Sequence, residues 1–296
     1  MIRRISLGLL LALAGIAAPS FGAAPKAVPN VVVEAVQMSA WVERDGSKIP
    51  LAPGMELKDR DQVKTGANSR ILLKTADGSW VKLGEKGSLV LEGLRMGEDS
   101  LFKAALKVAE GAFRFTTDAL AKFKGRREIN IAVATVTAGI RGTDLWGKSS
   151  PDRQTICLIE GKIEVTPPGD YPITLDQRLS YYVRDQGKSQ PVAMVLPDQL
   201  KEWAAETETQ AGQGVSKRGG KWQITVAAGK SLNDALDASK ALRDAGYAAE
   251  VLPAKASDKR VYNVRVAHLA TKKDAESVVA GLKQGPLGKY DYKVGT

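Results

Sequence analysis

The residues able to do chemistry in this chain are few. One histidine, His268, and one cysteine, Cys157, are present among 296 residues. Two such side chains cannot build a Cys/His metal site of the usual spacing, and no disulfide can close within the chain. Neither G-x-S-x-G nor H-E-x-x-H occurs, and no phosphate-binding loop is expected. Cys157 lies in the β-rich run Gln154–Ile159 and reads as a small buried hydrophobe, while His268 ends a strand as a surface or packing residue. A carboxylate pair could hydrolyse a glycosidic bond. The candidates, such as Glu202 with Glu206, stand at ordinary solvated helix spacing. The reading is therefore non-catalytic, with no metal and no cofactor.

A polar cluster suited to binding is legible instead in the last 76 residues, which repeat themselves at an offset of 40. Trp222, Ile224 and Val226 recur as Tyr262, Val264 and Val266; Asp234-Ala235 recurs as Asp274-Ala275, and Leu242 as Leu282. Each copy reads strand, helix, strand. Ser231 and Thr271 are the N-caps of helices over Leu232–Ala245 and Lys272–Gln284, and the outer strands are Tyr247–Leu252 and Tyr290–Val294. A βαββαβ order folds into a four-stranded antiparallel sheet, an RNP-like α+β module with both helices on one face. Period-2 alternation then turns Gln223, Thr225, Asn263 and Arg265 to the open face. With a ring such as Tyr292 or Tyr290 beside them, they would suit a sugar polymer. Half-buried antiparallel sheets also carry polar residues on their wet face for no such reason.

Upstream, residues 31–185 are punctuated as an all-β domain of many short strands. The runs Val31–Val36, Arg70–Lys74, Ser79–Leu83, Ser88–Leu91, Ala112–Thr116, Ile129–Val136, Gln154–Ile159 and Lys162–Val165 are separated by turns such as Asp45-Gly46, Pro53-Gly54 and Asp77-Gly78. Ser100–Lys107 and Asp118–Lys124 read as short helices or a mobile excursion. Tyr171–Leu175 and Leu179–Arg184 complete the domain. Pro197 opens a helix through residue 210 that should pack Trp203 on the β domain. Residues 211–220 turn to Gly, Ser, Gln and Lys, the composition of a linker.

The first 22 residues read as a signal peptide. Arg3 and Arg4 precede an apolar stretch from Ile5 to Ala18, too short to span a bilayer, and Ser20-Phe21-Gly22 offers small residues for cleavage. Sec export to the periplasm is expected, with no membrane span afterwards. Loss of Arg3 and Arg4 takes the net charge from +10 to +8. In the periplasm such a surplus points to anionic wall polymers or membrane surface and away from nucleic acid.

The runs Trp222–Gly229, Asn233-Asp234-Ala235, Ala241-Leu242 and Gly246-Tyr247, with Tyr262–Leu269, Lys273-Asp274-Ala275 and Gly281-Leu282, resemble the two halves of a SPOR (sporulation-related repeat) domain over residues 221–296. The resemblance implies binding of peptidoglycan glycan strands through the open face. Thr225 stands where the family favours Gln, Ala227 and Ala267 where it favours Gly, and Gly229 where it favours an aromatic residue. The runs Gly54–Gly66, Ser69–Leu73 and Asp77–Gly84, then Gly111–Phe115, Val133–Thr143 and Glu160–Val165, resemble a FecR-type domain over about residues 35–185. Its most specific piece is Arg141-Gly142-Thr143, where Arg141 is expected to be structural. FecR proteins signal across the inner membrane with a cytoplasmic helical segment that precedes a span; no such segment is legible before the β domain. The resemblance thus implies an exported module that contacts an unidentified envelope protein or serves as a scaffold. The leading expectation is a peptidoglycan-binding envelope protein. A signalling protein acting through the FecR-like domain is the alternative, and a cryptic wall hydrolase is third.

Overall fold

The computed structural model describes residues 30–97, 101–117, 125–140, 142–227, 231–256 and 259–296. The signal-peptide reading, the expected helix at 118–124, Arg141 and Gly229 lie outside them.

The N-terminal part forms eighteen strands among the described residues. The first nine are β1 (Val31–Gln37), β2 (Ala40–Arg44), β3 (Ser47–Pro50), β4 (Glu56–Leu57), β5 (Gln62–Thr65), β6 (Arg70–Thr75), β7 (Trp80–Leu83), β8 (Ser88–Met96) and β9 (Phe102–Thr116). The second nine are β10 (Arg127–Val133), β11 (Val136–Ile140), β12 (Asp144–Ser149), β13 (Arg153–Glu160), β14 (Ile163–Thr166), β15 (Ile173–Leu175), β16 (Ser180–Asp185), β17 (Lys188–Ser189) and β18 (Ala193–Met194).

Two sheets face each other. One runs β1-β6-β7-β9-β12-β13-β16, with β4 against the outer edge of β1 and β17 and β18 against that of β16. The other runs β3-β2-β5-β8-β9-β10-β11-β14-β15. β9 belongs to both. Its first half pairs with β8 and, in parallel, with β10; its second half pairs with β7 and β12. The chain changes sheet at Gly111, whose φ of +90° and close approach to Gly87 (2.6 Å from where a Cβ would stand) admit only glycine. Alternate residues of the longer strands fill the space between the sheets, among them Val33, Leu73, Phe113, Phe115, Ile131 and Tyr182.

Two local expectations fail here. Of the expected helix at Ser100–Lys107, the described residues 101–107 form none: Phe102, Ala104, Leu106 and Val108 are buried on alternate positions of β9. The alanines favour helix, yet the strands on both sides supply ladder partners and a core, and packing overrides propensity. The run Ile129–Val136 is two strands joined by a tight turn at Ala134-Thr135, where Ala134 takes φ +50° without the Gly or Asn that would have marked it.

Helix α1 (Pro197–Thr207) lies on the outer face of the first sheet. Trp203 stacks on Trp146 at 4.5 Å between ring centroids, nearly parallel, with Tyr181 edge-on at 5.5 Å. Strand β19 (Val215–Lys217) follows and pairs with β1. The last module is β20 (Trp222–Ala227), α2 (Leu232–Asp244), β21 (Ala249–Ala256), β22 (Lys259–Leu269), α3 (Lys272–Lys283) and β23 (Asp291–Gly295). Its antiparallel sheet has the order β21-β22-β20-β23. Both helices cover one face, where Ile224, Val226, Val264 and Val266 meet Ala235, Leu242, Ala275, Val278 and Leu282.

Residues 211–220 join the two parts, but they are not slack. Ser216 pairs with both Val36 and Leu269, so one ladder runs from the N-terminal sheet into the C-terminal one. The backbone N–H groups of Gly212, Gly214 and Val215 all donate to Asp274 Oδ1, at 2.7, 3.1 and 2.9 Å. Gly212 and Gly214 have φ of +79° and +86°, so glycine here serves a turn whose N–H groups converge on a carboxylate. A glycine-rich composition is common to flexible linkers and to such nests, and only tertiary contacts separate the two.

Candidate functional site

Register fixes the face of each polar residue. Thr225 lies opposite Arg265 on one side and Lys293 on the other, while Glu250 lies opposite Arg265. Because Ile224, Val226, Val264 and Val266 point under the helices, their neighbours Gln223, Thr225, Asn263 and Arg265 share the opposite, open face. Arg265 Nη2 donates to Glu250 Oε2 at 3.2 Å and Nη1 to Gln223 Oε1 at 3.4 Å; Gln223 Nε2 reaches the carbonyl of Thr296 at 3.3 Å. The Nε–H of Arg265 is shielded from solvent and meets no acceptor. Asn263 is exposed, opposite Leu252. The result is a polar row across four strands, able to donate and accept hydrogen bonds but with long, weak links between its own members.

Tyr292 is not part of it. It lies opposite Val226, packs against the helix-side core, and donates its hydroxyl to the carbonyl of Leu287 at 2.7 Å. Burial, with Tyr290 and Tyr247 nearby, pushes its phenol up to about 12. The sequence alone does not give the register of β23; its pairing with β20 turns Tyr292 to the side of Val226 and Lys293 to the side of Thr225. Trp222, Tyr262 and Tyr290 also pack towards the helices. Among the described residues the open face therefore carries no Phe, Tyr or Trp.

The Gly142-Thr143 pair immediately precedes β12. Thr143 is buried, its N–H donates to Thr117 Oγ1 at 3.3 Å and its carbonyl accepts from the N–H of Thr117 at 3.0 Å. A Cβ at Gly161 would stand 2.7 Å from the carbonyl of Gly142, so this pair fits the Glu160-Gly161 turn as backbone packing. Residues 142–149 also match G-x-x-x-x-G-K-S letter for letter, against the expectation that no phosphate loop is present. The structure removes the meaning of the match. Asp144–Ser149 is a central strand with no helix behind it, Lys148 pairs with Glu206 at 2.7 Å and Ser149 donates to the carbonyl of Ala109.

Other reactive groups are committed. Cys157 is fully buried and its thiol is pushed up to about 12, first by burial and then by Asp144. His268 is exposed in a left-handed conformation, φ +65°, at the end of β22. Glu206 is held by Lys148, and Glu202 is exposed. No group of three potential metal ligands occurs among the described residues.

The feature that sequence reasoning missed is Asp274. It is the third residue of α3, fully buried, and accepts the three N–H groups of residues 212–215 as well as the hydroxyl of Thr271 at 2.6 Å. Its repeat equivalent Asp234 only closes a capping box with Ser231, on an exposed helix end. The recurrence marked the two as equivalent positions behind the N-caps Ser231 and Thr271; nothing in it said that one of them also holds the connection between the modules.

Comparison with known proteins agrees with this architecture. Residues 61–164 match the family described as FecR protein, and residues 218–289 match the SPOR domain. The chain thus carries an N-terminal FecR domain and a C-terminal SPOR domain. No curated protein matches it along its sequence. Two crystal structures of a candidate anti-sigma factor from Parabacteroides distasonis ATCC 8503, at 2.50 and 1.65 Å, are similar at 13% and 11% identity. They cover 75% and 68% of this chain and 90% and 97% of their own, with TM-scores of 0.40 and 0.39. SPOR domains bind peptidoglycan, both families are associated with the cell envelope, and neither is a catalytic family. No helix among the described residues is long and apolar enough to cross a membrane.

Proposed function

We propose that this is a Sec-exported periplasmic protein that binds glycan strands of peptidoglycan through the open face of its SPOR sheet. The FecR domain acts as the scaffold that contacts a second envelope protein. The observation that carries this reading is the Glu250–Arg265–Gln223 row beside Thr225, a set of paired donors and acceptors on a face no other element covers. Hydroxyl-rich chains exchange hydrogen bonds with such a row, and Arg265 has the links to spare. Binding without a stacked ring is expected to be weak at this face. The family match over 61–164 equally supports a signalling reading, in which peptidoglycan contact only localises the FecR domain.

The test is co-sedimentation of the full chain with purified sacculi, before and after stem peptides are removed by an amidase. Arg265→Ala with Thr225→Ala should lower the bound fraction. Unchanged binding by that double variant removes the open face as the site, and release of soluble muropeptides by the wild type would make the protein an enzyme.

A further inference from the structure

The ring that the open face lacks is found elsewhere. A groove of about 400 Å³ opens where the N-terminal sheet, the 209–218 connection and the start of α3 meet. Its floor is Trp80, Leu72 and Ala35; Val215, Ala211 and Ala270 form its wall. Leu72 and Trp80 come from neighbouring strands, and β19 is held against β1, so the floor is rigid. The volume is that of a small-ligand pocket and lies at a junction between modules, where such pockets concentrate.

Charge says what kind of ligand fits. Two carboxylates line the groove, Glu34 and Asp274, and both are engaged: Glu34 pairs with Arg218 at 3.3 Å, and Asp274 accepts the N–H groups of the connection. Nearby, Lys82 and Arg114 are taken up by Glu208 and Asp144. Lys217 and Lys74 are exposed and have no acidic partner among the described residues. The Lys74 ammonium instead sits 4.8 Å from the centroid of the Trp80 ring, carried on a long flexible stem. Thr209 places a hydroxyl-bearing residue at the rim, while the hydroxyl of Thr271 is taken by Asp274. An indole face flanked by ammonium groups that have no acidic partner, with a hydroxyl at the rim, matches a sugar ring that carries a carboxylate: the C–H face stacks, the acid pairs with lysine.

We propose that this groove is a second glycan site, occupied by a carboxylate-bearing sugar of the sacculus. The proposal rests on the peptidoglycan reading above and deepens it, since the two sites are borne on different modules held by Asp274. Two weak contacts on one rigid body bind a polymer far more tightly than either does alone.

The experiment uses the full chain, purified sacculi and, in solution, muramic-acid-containing glycan oligosaccharides against neutral N-acetylglucosamine oligomers of equal length. Trp80→Ala, and separately Lys74→Glu with Lys217→Glu at exposed positions, should each weaken sacculus binding about tenfold, the effect of losing about 1.4 kcal/mol. The acidic oligosaccharides should bind better than the neutral ones, and the charge-reversed variant should lose that preference. Wild-type affinity in both variants, with Arg265→Ala plus Thr225→Ala defective, overturns the groove and leaves the SPOR face standing. The converse pattern supports the groove and removes the SPOR face. Equal binding of acidic and neutral oligomers overturns the assigned ligand, and loss of binding by a Trp80→Ala protein whose melting temperature has collapsed counts only if the charge-reversed variant agrees.

Discussion

Replacing Asp274 by alanine leaves the N–H groups of Gly212, Gly214 and Val215 without their acceptor. A buried donor without a partner costs about 1–3 kcal/mol, and bonds to a charged acceptor lie at the upper end. Three such groups cannot all remain buried at that cost. The connection is expected to lift off and rehydrate, so the loss amounts to about 3–5 kcal/mol and appears as opening between the modules before either one melts. Asp234→Ala is the matched control, because the repeat equivalent is an exposed cap whose removal costs about 1 kcal/mol. Limited trypsin digestion reads the difference. Lys217 is in β19 and Arg218 in an ion pair with Glu34, so wild type and Asp234→Ala should resist cleavage there. Asp274→Ala should be cut after these residues and release two stable fragments. If Asp274→Ala is as resistant as Asp234→Ala and only melts a few degrees lower, the carboxylate is an ordinary helix cap and the coupling argument is wrong.

Further outcomes follow from single residues. The Tyr292 phenol, raised to about 12 from its ordinary value of 10.0, stays neutral in the fold while the unfolded chain ionises. Its contribution to stability is therefore complete below about pH 10 and is lost as pH rises towards 12, and Tyr292→Phe should flatten that decline in alkaline unfolding curves. Cys157 should resist a maleimide at pH 8 in the native protein and react only once the chain unfolds, since its thiol is buried and neutral there. Gly111→Ala must strain φ +90° and move Gly87, so a loss of more than about 1 kcal/mol is expected in urea melts. A neutral outcome would mean that β9 does not turn between the sheets there.

Much of this was legible in the chain itself. The 40-residue duplication sets the order of strands and helices in the SPOR module, because each copy repeats the same caps and the same apolar stripe. Alternation alone assigned Gln223, Thr225, Asn263 and Arg265 to one face, since a strand's side chains must point to opposite sides. Short β-rich runs between turns identified the N-terminal domain as all-β. What sequence could not supply is anything that depends on which strand lies next to which. Tyr292 packs under the helices because its pairing with Val226 sets its direction. The alanine-rich start of β9 became a strand because β8 and β10 flank it. Gly212 and Gly214, whose composition spelled a flexible linker, became a nest because a buried carboxylate 60 residues away meets their N–H groups. Trp80 lies on an ordinary strand in the sequence, and only the arrival of β19 and α3 beside it makes a groove. Local pattern is written in neighbouring residues; sites and joints are made by residues far apart, brought together by burial.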